Sequence, residues 1–280
     1  MFKHRHFNFK RITNKGFTLI ELLVVIAIIA LLMSILVPSL EKVKRQARVV
    51  VCQSNLHQWA ITFKMFTDEH DTKFMSGHEY ANLMTGPSGF SGEESIDDSP
   101  DHSWPLILRS YYKDEKLLCC PSAKKPPIDG ARDRENTVYS TWGLWIYFKT
   151  ESIYGSYGIN SWIFNRGDEN DRWRTVVARN ADRIPLLLDC YWVEGYPEHN
   201  DQPPQWQIFG EFGDSNHHMR RFCVDRHNEK TNALFMDLSV RSVGIKELWE
   251  LHWHRNWNQG NNLPPVWPVW MNGFKDYWIP

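Results

Sequence analysis

The chain has 280 residues, 42% hydrophobic and 23% charged, which are ordinary values for a folded chain with a real core in one or two domains. The formal net charge is −1, so no global basic field points to nucleic acid. The charge is unevenly placed: Lys3, Arg5, Lys10, Arg11 and Lys15 have no acid among them, and without these five, 27 basic side chains face 33 acidic ones. The remainder is mildly acidic, which argues against DNA as a main partner. Fourteen tryptophans point to an aromatic core and to contact surfaces.

In chain order, a basic segment over residues 1–16 precedes Phe17–Val37, which reads FTLIELLVVIAIIALLMSILV. These 21 residues hold one charge, Glu21, and no Gly or Pro. As a helix they would be about 31 Å long, matching a hydrocarbon core of about 30 Å. A cleaved secretory signal has a shorter apolar core with its cleavage site after it. Here the polar break, Asn14-Lys15-Gly16, comes before the apolar run. The positive-inside rule puts residues 1–16 in the cytoplasm and 38–280 outside, although Lys42, Lys44, Arg45 and Arg48 after the span count the other way. A carboxylate inside a membrane costs about 2.5–3.5 kcal/mol unless it is paired. Cutting between Gly16 and Phe17 would create an ammonium one helical turn from Glu21, able to pair with it in the same chain or in a neighbour.

Lys15-Gly16-Phe17-Thr18-Leu19-Ile20-Glu21 resembles the type IV prepilin motif of pilins and type II secretion pseudopilins. The resemblance implies that a membrane prepilin peptidase cuts after Gly16 and N-methylates Phe17. It also implies that Glu21 guides subunit assembly.

Pro38 follows the span, and inside a helix it removes one hydrogen bond and kinks the axis. Beyond it Leu40, Val43, Ala47, Val50, Leu56, Ala60 and Phe63 recur mostly at spacings of three or four, an amphipathic face expected to pack on a head domain. The helix is expected to end near Phe66–Asp71. Residues 17–68 would then form a rod of about 78 Å.

From Phe74 the pattern changes to short runs and turn signals. Gly86–Ser103, Pro126-Pro127 and Asp129-Gly130 read as loops. Tyr157–Phe164, Ile184–Val193 and Thr231–Val243 read as strands. In the last, Ala233 and Phe235 alternate with Leu234 and Met236, and Val240–Val243 continues as in a hairpin. A long helix followed by an antiparallel sheet predicts an α+β, pilin-like fold. The expected boundaries are a leader at 1–16, a transmembrane helix at 17–37, its amphipathic continuation at 38–71 and an extracytoplasmic head at 72–280.

Cys52-x-x-Asn55-Leu56, Cys120-Pro121-Ser122, Ser156-Tyr157-Gly158-x-Asn160 and Arg226-His227-Asn228 followed by Asn232-x-Leu234-Phe235-x-Asp237 resemble an expanded pseudopilin-like family. That family is typical of Planctomycetes, Lentisphaerae and related bacteria, and its C-terminal signature is a His, nine residues, then Asp-Gly. His227 and Asp237 have this spacing, but Leu238-Ser239 stands where the family has Gly-His. Leu resists positive φ, so an altered turn is expected.

His227 and Asp237 are candidates for metal ligation or for a hydrogen bond at the hairpin base; two residues do not complete a metal site, which favours the bond. Asp168, Asn170 and Asp171 form an oxygen-rich loop. Major secretion pseudopilins bind calcium in such a region, but the spacing is not that of an EF-hand and a solvated loop is favoured. Trp249, Trp253 and Trp257 recur every four residues and could stack on sugar rings if exposed; docking on the sheet is the favoured reading. Pro264, Pro265 and Pro268 then end any helix, with Trp267, Trp270 and Trp278 in an extended tail.

The five cysteines are Cys52, Cys119, Cys120, Cys190 and Cys223, with no C-x-x-C and an odd count. Outside the cytoplasm disulfides become possible. Cys52 and Cys120 match cysteines of the resembled family, which implies a bridge between helix and head that could contribute about 4 kcal/mol in the chain-entropy model. By sequence Cys119 is an equal partner for Cys52, and Cys190 with Cys223 is a weaker pair. No nucleophile elbow, metalloprotease helix, phosphate loop or dinucleotide fingerprint is present.

The sequence therefore predicts a non-enzymatic structural subunit with no cofactor and no metal. It is expected as a single-pass protein of the inner (cytoplasmic) membrane, with its head in the periplasm or at the cell surface. Its expected partners are prepilin peptidase and other pilin or pseudopilin subunits, in type II secretion or a type IV pilus-like fibre, with no nucleic acid. The alternative is a pilin-anchored surface module whose Trp-rich head binds carbohydrate or another cell.

Overall fold

The computed structural model describes residues 17–76, 103–123, 138–139, 141–146, 151–166, 170–205, 217–257 and 267–275. The leader with Gly16, residues 86–102, the two expected turns at 126–130, Asp168, Pro264, Pro265 and Trp278 lie outside the described residues. The chain divides into two compact units, Met1–Gln46 and Ala47–Pro280.

Helix α1 runs Leu19–Glu69 and continues through Pro38. Pro38 has no N–H for the Ser34 carbonyl. The first unit buries none of its described side chains: Leu19 is 78% exposed, Ile35 69% and Leu40 53%. A helix that is apolar all round suits lipid or neighbouring helices rather than water.

In the second unit α1 buries Cys52, Leu56, Trp59, Ala60, Phe63, Phe66 and Thr67. Successive gaps of three, four and one place these on one helical face. Val50 is 64% exposed and Val43 57% exposed, so the amphipathic face expected from Leu40 starts at Cys52 instead. At its C-terminus Thr72 N donates to Thr67 O over 2.8 Å and Asp71 takes φ 52°. This is the left-handed stop that closes orphan carbonyls, made here without glycine.

A five-stranded sheet has the order β5-β3-β4-β6-β7, from β3 (Tyr157–Asn160), β4 (Pro185–Asp189), β5 (Glu194–Gly195), β6 (Lys230–Phe235) and β7 (Val240–Gly244). Neighbouring strands are antiparallel except β3 and β5, which are parallel. The sheet is therefore mixed, not purely antiparallel, while the α+β class holds. A separate antiparallel pair, β1 (Trp142–Ile146) and β2 (Glu151–Gly155), precedes it. The expected strands were too long: 3-10 turns at Ser161–Ile163 and a kinked stretch after Asp189 end β3 and β4 early.

The sheet is buried on both faces. Leu234 and Met236 join one cluster with Ile159, Leu187 and the buried face of α1. Ala233 and Phe235 join another with Phe222, Val243, Trp249 and Trp253. The expected alternation along β6 thus decides which layer each residue enters. The β6–β7 turn closes with Leu238 N to Phe235 O and Phe235 N to Ser239 O, both 2.9 Å. Leu238 does so at φ 68°, so the tight turn survives without the glycine.

Trp59 is fully buried and its Nε1 donates to Leu117 O over 2.8 Å. Trp59→Ala is expected to cost about 3–5 kcal/mol. Ile61→Ala, two residues on but 61% exposed, should change stability by less than about 0.5 kcal/mol. Urea unfolding of detergent-solubilised protein, followed by circular dichroism, checks the contrast.

Candidate functional site

At the start of α1, Thr18 is the residue before the first helical position. Its backbone N–H and its hydroxyl each donate to Glu21 Oε2 over 2.8 Å, and Glu21 N donates back to Thr18 Oγ1 over 3.3 Å. This reciprocal pair is a capping box. It gives Glu21 a local role that the resemblance alone did not: the carboxylate closes its own helix end, where unpaired N–H groups favour a negative charge. Phe17, next to the expected cut, is 69% exposed. Sequence reasoning missed this cap, for which the Thr18-x-x-Glu21 spacing was the available signal.

A second site lies inside the head. Asp189 ends β4 with no exposure. Its Oδ1 lies 3.3 Å from Arg226 Nη1, and its Oδ2 lies 3.1 Å from His227 Nε2 and accepts from Asn232 N over 3.0 Å. Cys52 Sγ from α1 lies 3.6 Å from Oδ2, and Cys120 Sγ lies 3.4 Å from His227 Nε2. Tyr157 donates its hydroxyl to Cys52 Sγ over 3.2 Å. Arg226 also donates to Val138 O, Ser156 O and Cys190 O. On the opposite face of the sheet, a Cβ at Gly158 would meet Cys190 Sγ at 2.6 Å. Nearby, Asn55 donates to Cys119 O, and Gln53 reaches Ser242 and Asn232.

Burial alone would raise the Asp189 carboxyl, but the His227 and Arg226 charges and the Asn232 amide outweigh it and hold its pKa at about 2. Burial likewise opposes a charged His227, and Asp189 overcomes it, raising the imidazole to about 10. Burial raises the Cys52 thiol well above its usual value. Burial also acts to raise Cys120, but bonds from Cys52 and His227 with the Arg226 charge bring it down to about 7.

This donor set is not a cysteine-nucleophile relay. Cys120 and Asp189 approach the same imidazole nitrogen, whereas a relay needs opposite nitrogens, and Cys120 is fully buried.

The hydrogen bond expected between His227 and Asp237 is replaced by the bond to Asp189. The two residues flank opposite ends of β6, a strand about 20 Å long, and exposed Asp237 instead accepts from Ser239 N and Oγ at the turn. Cys52 and Cys120 do come together, with donor atoms in one group no more than 4.8 Å across, but as free thiols. Cys190 and Cys223 are free thiols too, and Cys119 Sγ donates to Tyr154 O over 3.4 Å. Sequence reasoning missed Asp189 and gave Arg226 no role; the available signal was a lone acid closing the apolar run Leu186-Leu187-Leu188.

Trp249, Trp253 and Trp257 are 1%, 0% and 8% exposed, so no exposed stacking row exists at these positions. The expected helix is a 3-10 turn, Lys246–Glu250. Trp249 and Trp253 direct their Nε1 groups to Asp201 O and Leu248 O. Asn170 and Asp171 are described. Asp171 binds Asn256 and lies 3.7 Å from His254 Nδ1, in a cluster with Glu198.

A family model described as the prokaryotic N-terminal methylation motif matches residues 11–37. No curated protein and no solved structure matches the chain. The motif, followed by a helix long and apolar enough to cross a membrane, fits a type IV pilin-like protein.

Asp189→Asn leaves Arg226 and His227 buried without their counter-charge and is expected to cost about 3–5 kcal/mol. Asp237→Asn, at the exposed turn, should cost less than about 1 kcal/mol; denaturant unfolding compares the two. Burial, then Asp201 and Asp171, raise the half-buried Glu198 carboxyl to about 7. A raised acid binds its proton more tightly when folded, so its contribution is present below its unfolded pKa and lost as pH rises through about 7. Glu198→Gln should therefore raise the melting temperature at about pH 8 and leave it unchanged near pH 4.

Proposed function

We propose that the chain is a structural pilin-like or pseudopilin subunit of a type II secretion or type IV pilus-like fibre, with no enzymatic role. The observation that carries this reading is the methylation motif at residues 11–37 leading into an apolar helix with every described side chain from Phe17 to Val37 exposed. The precursor inserts in the inner membrane with residues 1–16 in the cytoplasm. Prepilin peptidase cuts after Gly16 and N-methylates Phe17. The freed helices then pack laterally with those of other subunits, and the head stands in the periplasm or at the cell surface.

Glu21 supplies the assembly chemistry. Its carboxylate lies at the helix start on Thr18, one turn from the ammonium that cleavage creates at Phe17. On docking, the carboxylate of one subunit takes the Phe17 ammonium of its neighbour, so two charges costly in lipid neutralise each other. The burial of Trp249, Trp253 and Trp257 removes the feature on which a carbohydrate-binding reading rested.

The capping box permits a clean test. Glu21→Gln keeps the cap, since Gln serves at that position, but removes the charge. It is expected to insert and be processed normally while assembly weakens at least about tenfold, equivalent to about 1.4 kcal/mol per contact. Mass spectrometry of the mature N-terminus should find N-methyl-Phe17. Intact Met1 in the mature protein, or normal fibre yield from Glu21→Gln, overturns the respective step.

A further inference from the structure

We propose that Cys52, Cys120, Asp189 and His227 form a closed, structural Zn2+ site inside the head. Four separate chain segments deliver these side chains: α1, the segment after the 3-10 turn Glu115–Leu118, the end of β4, and the approach to β6. All four residues are buried, and one donor atom from each lies within 4.8 Å of all the others.

Three of the six donor–donor edges match those of a zinc tetrahedron, and the other three are no longer than 4.8 Å. Zinc bonds of about 2.3 Å to sulfur and 2.0–2.1 Å to nitrogen or oxygen give edges of about 3.5 Å between sulfur and nitrogen or oxygen. Between nitrogen and oxygen the edge is about 3.3 Å. The observed edges are 3.4 Å from Cys120 Sγ to His227 Nε2, 3.6 Å from Cys52 Sγ to Asp189 Oδ2, and 3.1 Å from His227 Nε2 to Asp189 Oδ2. Two thiolates, an imidazole and one carboxylate oxygen suit zinc and do not suit calcium or magnesium, which take oxygen donors.

The surroundings support the carboxylate ligand, while the buried His227 Nδ1 has no hydrogen-bond partner. Arg226 holds Oδ1 of Asp189 at 3.3 Å and is itself fixed by three backbone carbonyls. That leaves Oδ2 facing the other donors, as a supporting shell does for a ligating carboxylate. Zinc displaces the protons of both thiols and of His227 Nε2 to solvent. Two thiolates, a carboxylate and Zn2+ then sum to one negative charge, which Arg226 neutralises. Four protein ligands leave no open coordination position, so the site holds structure and activates no water. A disulfide would require the two sulfurs alone; it gives no reason for a histidine and a carboxylate from two further segments to meet at the same point.

The test uses the full-length protein in detergent. Incubated with Zn2+ under reducing conditions and gel-filtered, it should retain one zinc per chain, with Cys52 and Cys120 protected from alkylation. A chelator should release the metal, expose both thiols to alkylation and lower the melting temperature. Co2+ added to the stripped wild type should produce a thiolate-to-cobalt charge-transfer band, a readout that needs no variant to fold. Cys52→Ser and Cys120→Ser should lower retained zinc at least tenfold, whereas Cys119→Ser and Cys223→Ser should leave it unchanged. Absence of both retained zinc and the cobalt band in the wild type overturns the proposal. So does a Cys52–Cys120 disulfide-linked peptide recovered from protein isolated under non-reducing conditions in the presence of Zn2+.

Discussion

Asp189 has no contact with water, and a carboxylate in that position is tolerable only if cations and N–H groups surround it. The groups that do so come from three parts of the head. Arg226 and His227 come from the approach to β6, the Asn232 amide from β6 itself, and the Cys52 thiol from α1. Arg226 extends the network to Val138, Ser156 and Cys190. One buried charge therefore fixes helix against sheet and strand against strand.

Apolar burial supplies the bulk of the stabilisation around that node, and the node supplies registry. Both faces of the sheet are covered, by the α1 face on one side and by Phe222, Trp249 and Trp253 on the other. Hydrophobic contact is non-directional and would accept a helix rotated or slid by a residue. Such a slip would carry Cys52, Gln53 and Asn55 away from Asp189, Ser242 and Cys119, leaving buried polar groups unpaired. The polar contacts thus choose one arrangement among several that the apolar faces alone would permit.

The N-terminal unit follows a different logic. Its described side chains are all exposed, so its stability as a helix comes from backbone hydrogen bonds, the Thr18–Glu21 cap and whatever apolar medium surrounds it. In the proposed assembly the same carboxylate then meets a new N-terminal ammonium, so Glu21 would close its own helix end before it makes contact between chains.

Sequence by itself determined the features that depend on neighbouring residues. The apolar length of Phe17–Val37, the Thr18–Glu21 spacing, the helix end near Glu69 and the alternation from Ala233 to Met236 are all local patterns, and local geometry converts them directly into a span, a cap, a stop and a two-faced strand. The pairing of β1 with β2 was not legible, since Trp142–Ile146 and Glu151–Gly155 carry no clear period. The tryptophan row packs against the sheet as favoured, but only Trp249 lies in a helical turn, and that turn is 3-10. Above all, only the tertiary structure decided that Cys52, Cys120, Asp189 and His227 meet while His227 and Asp237 do not. Which polar groups share a buried point depends on how distant segments pack, and spacing along the chain holds no record of that.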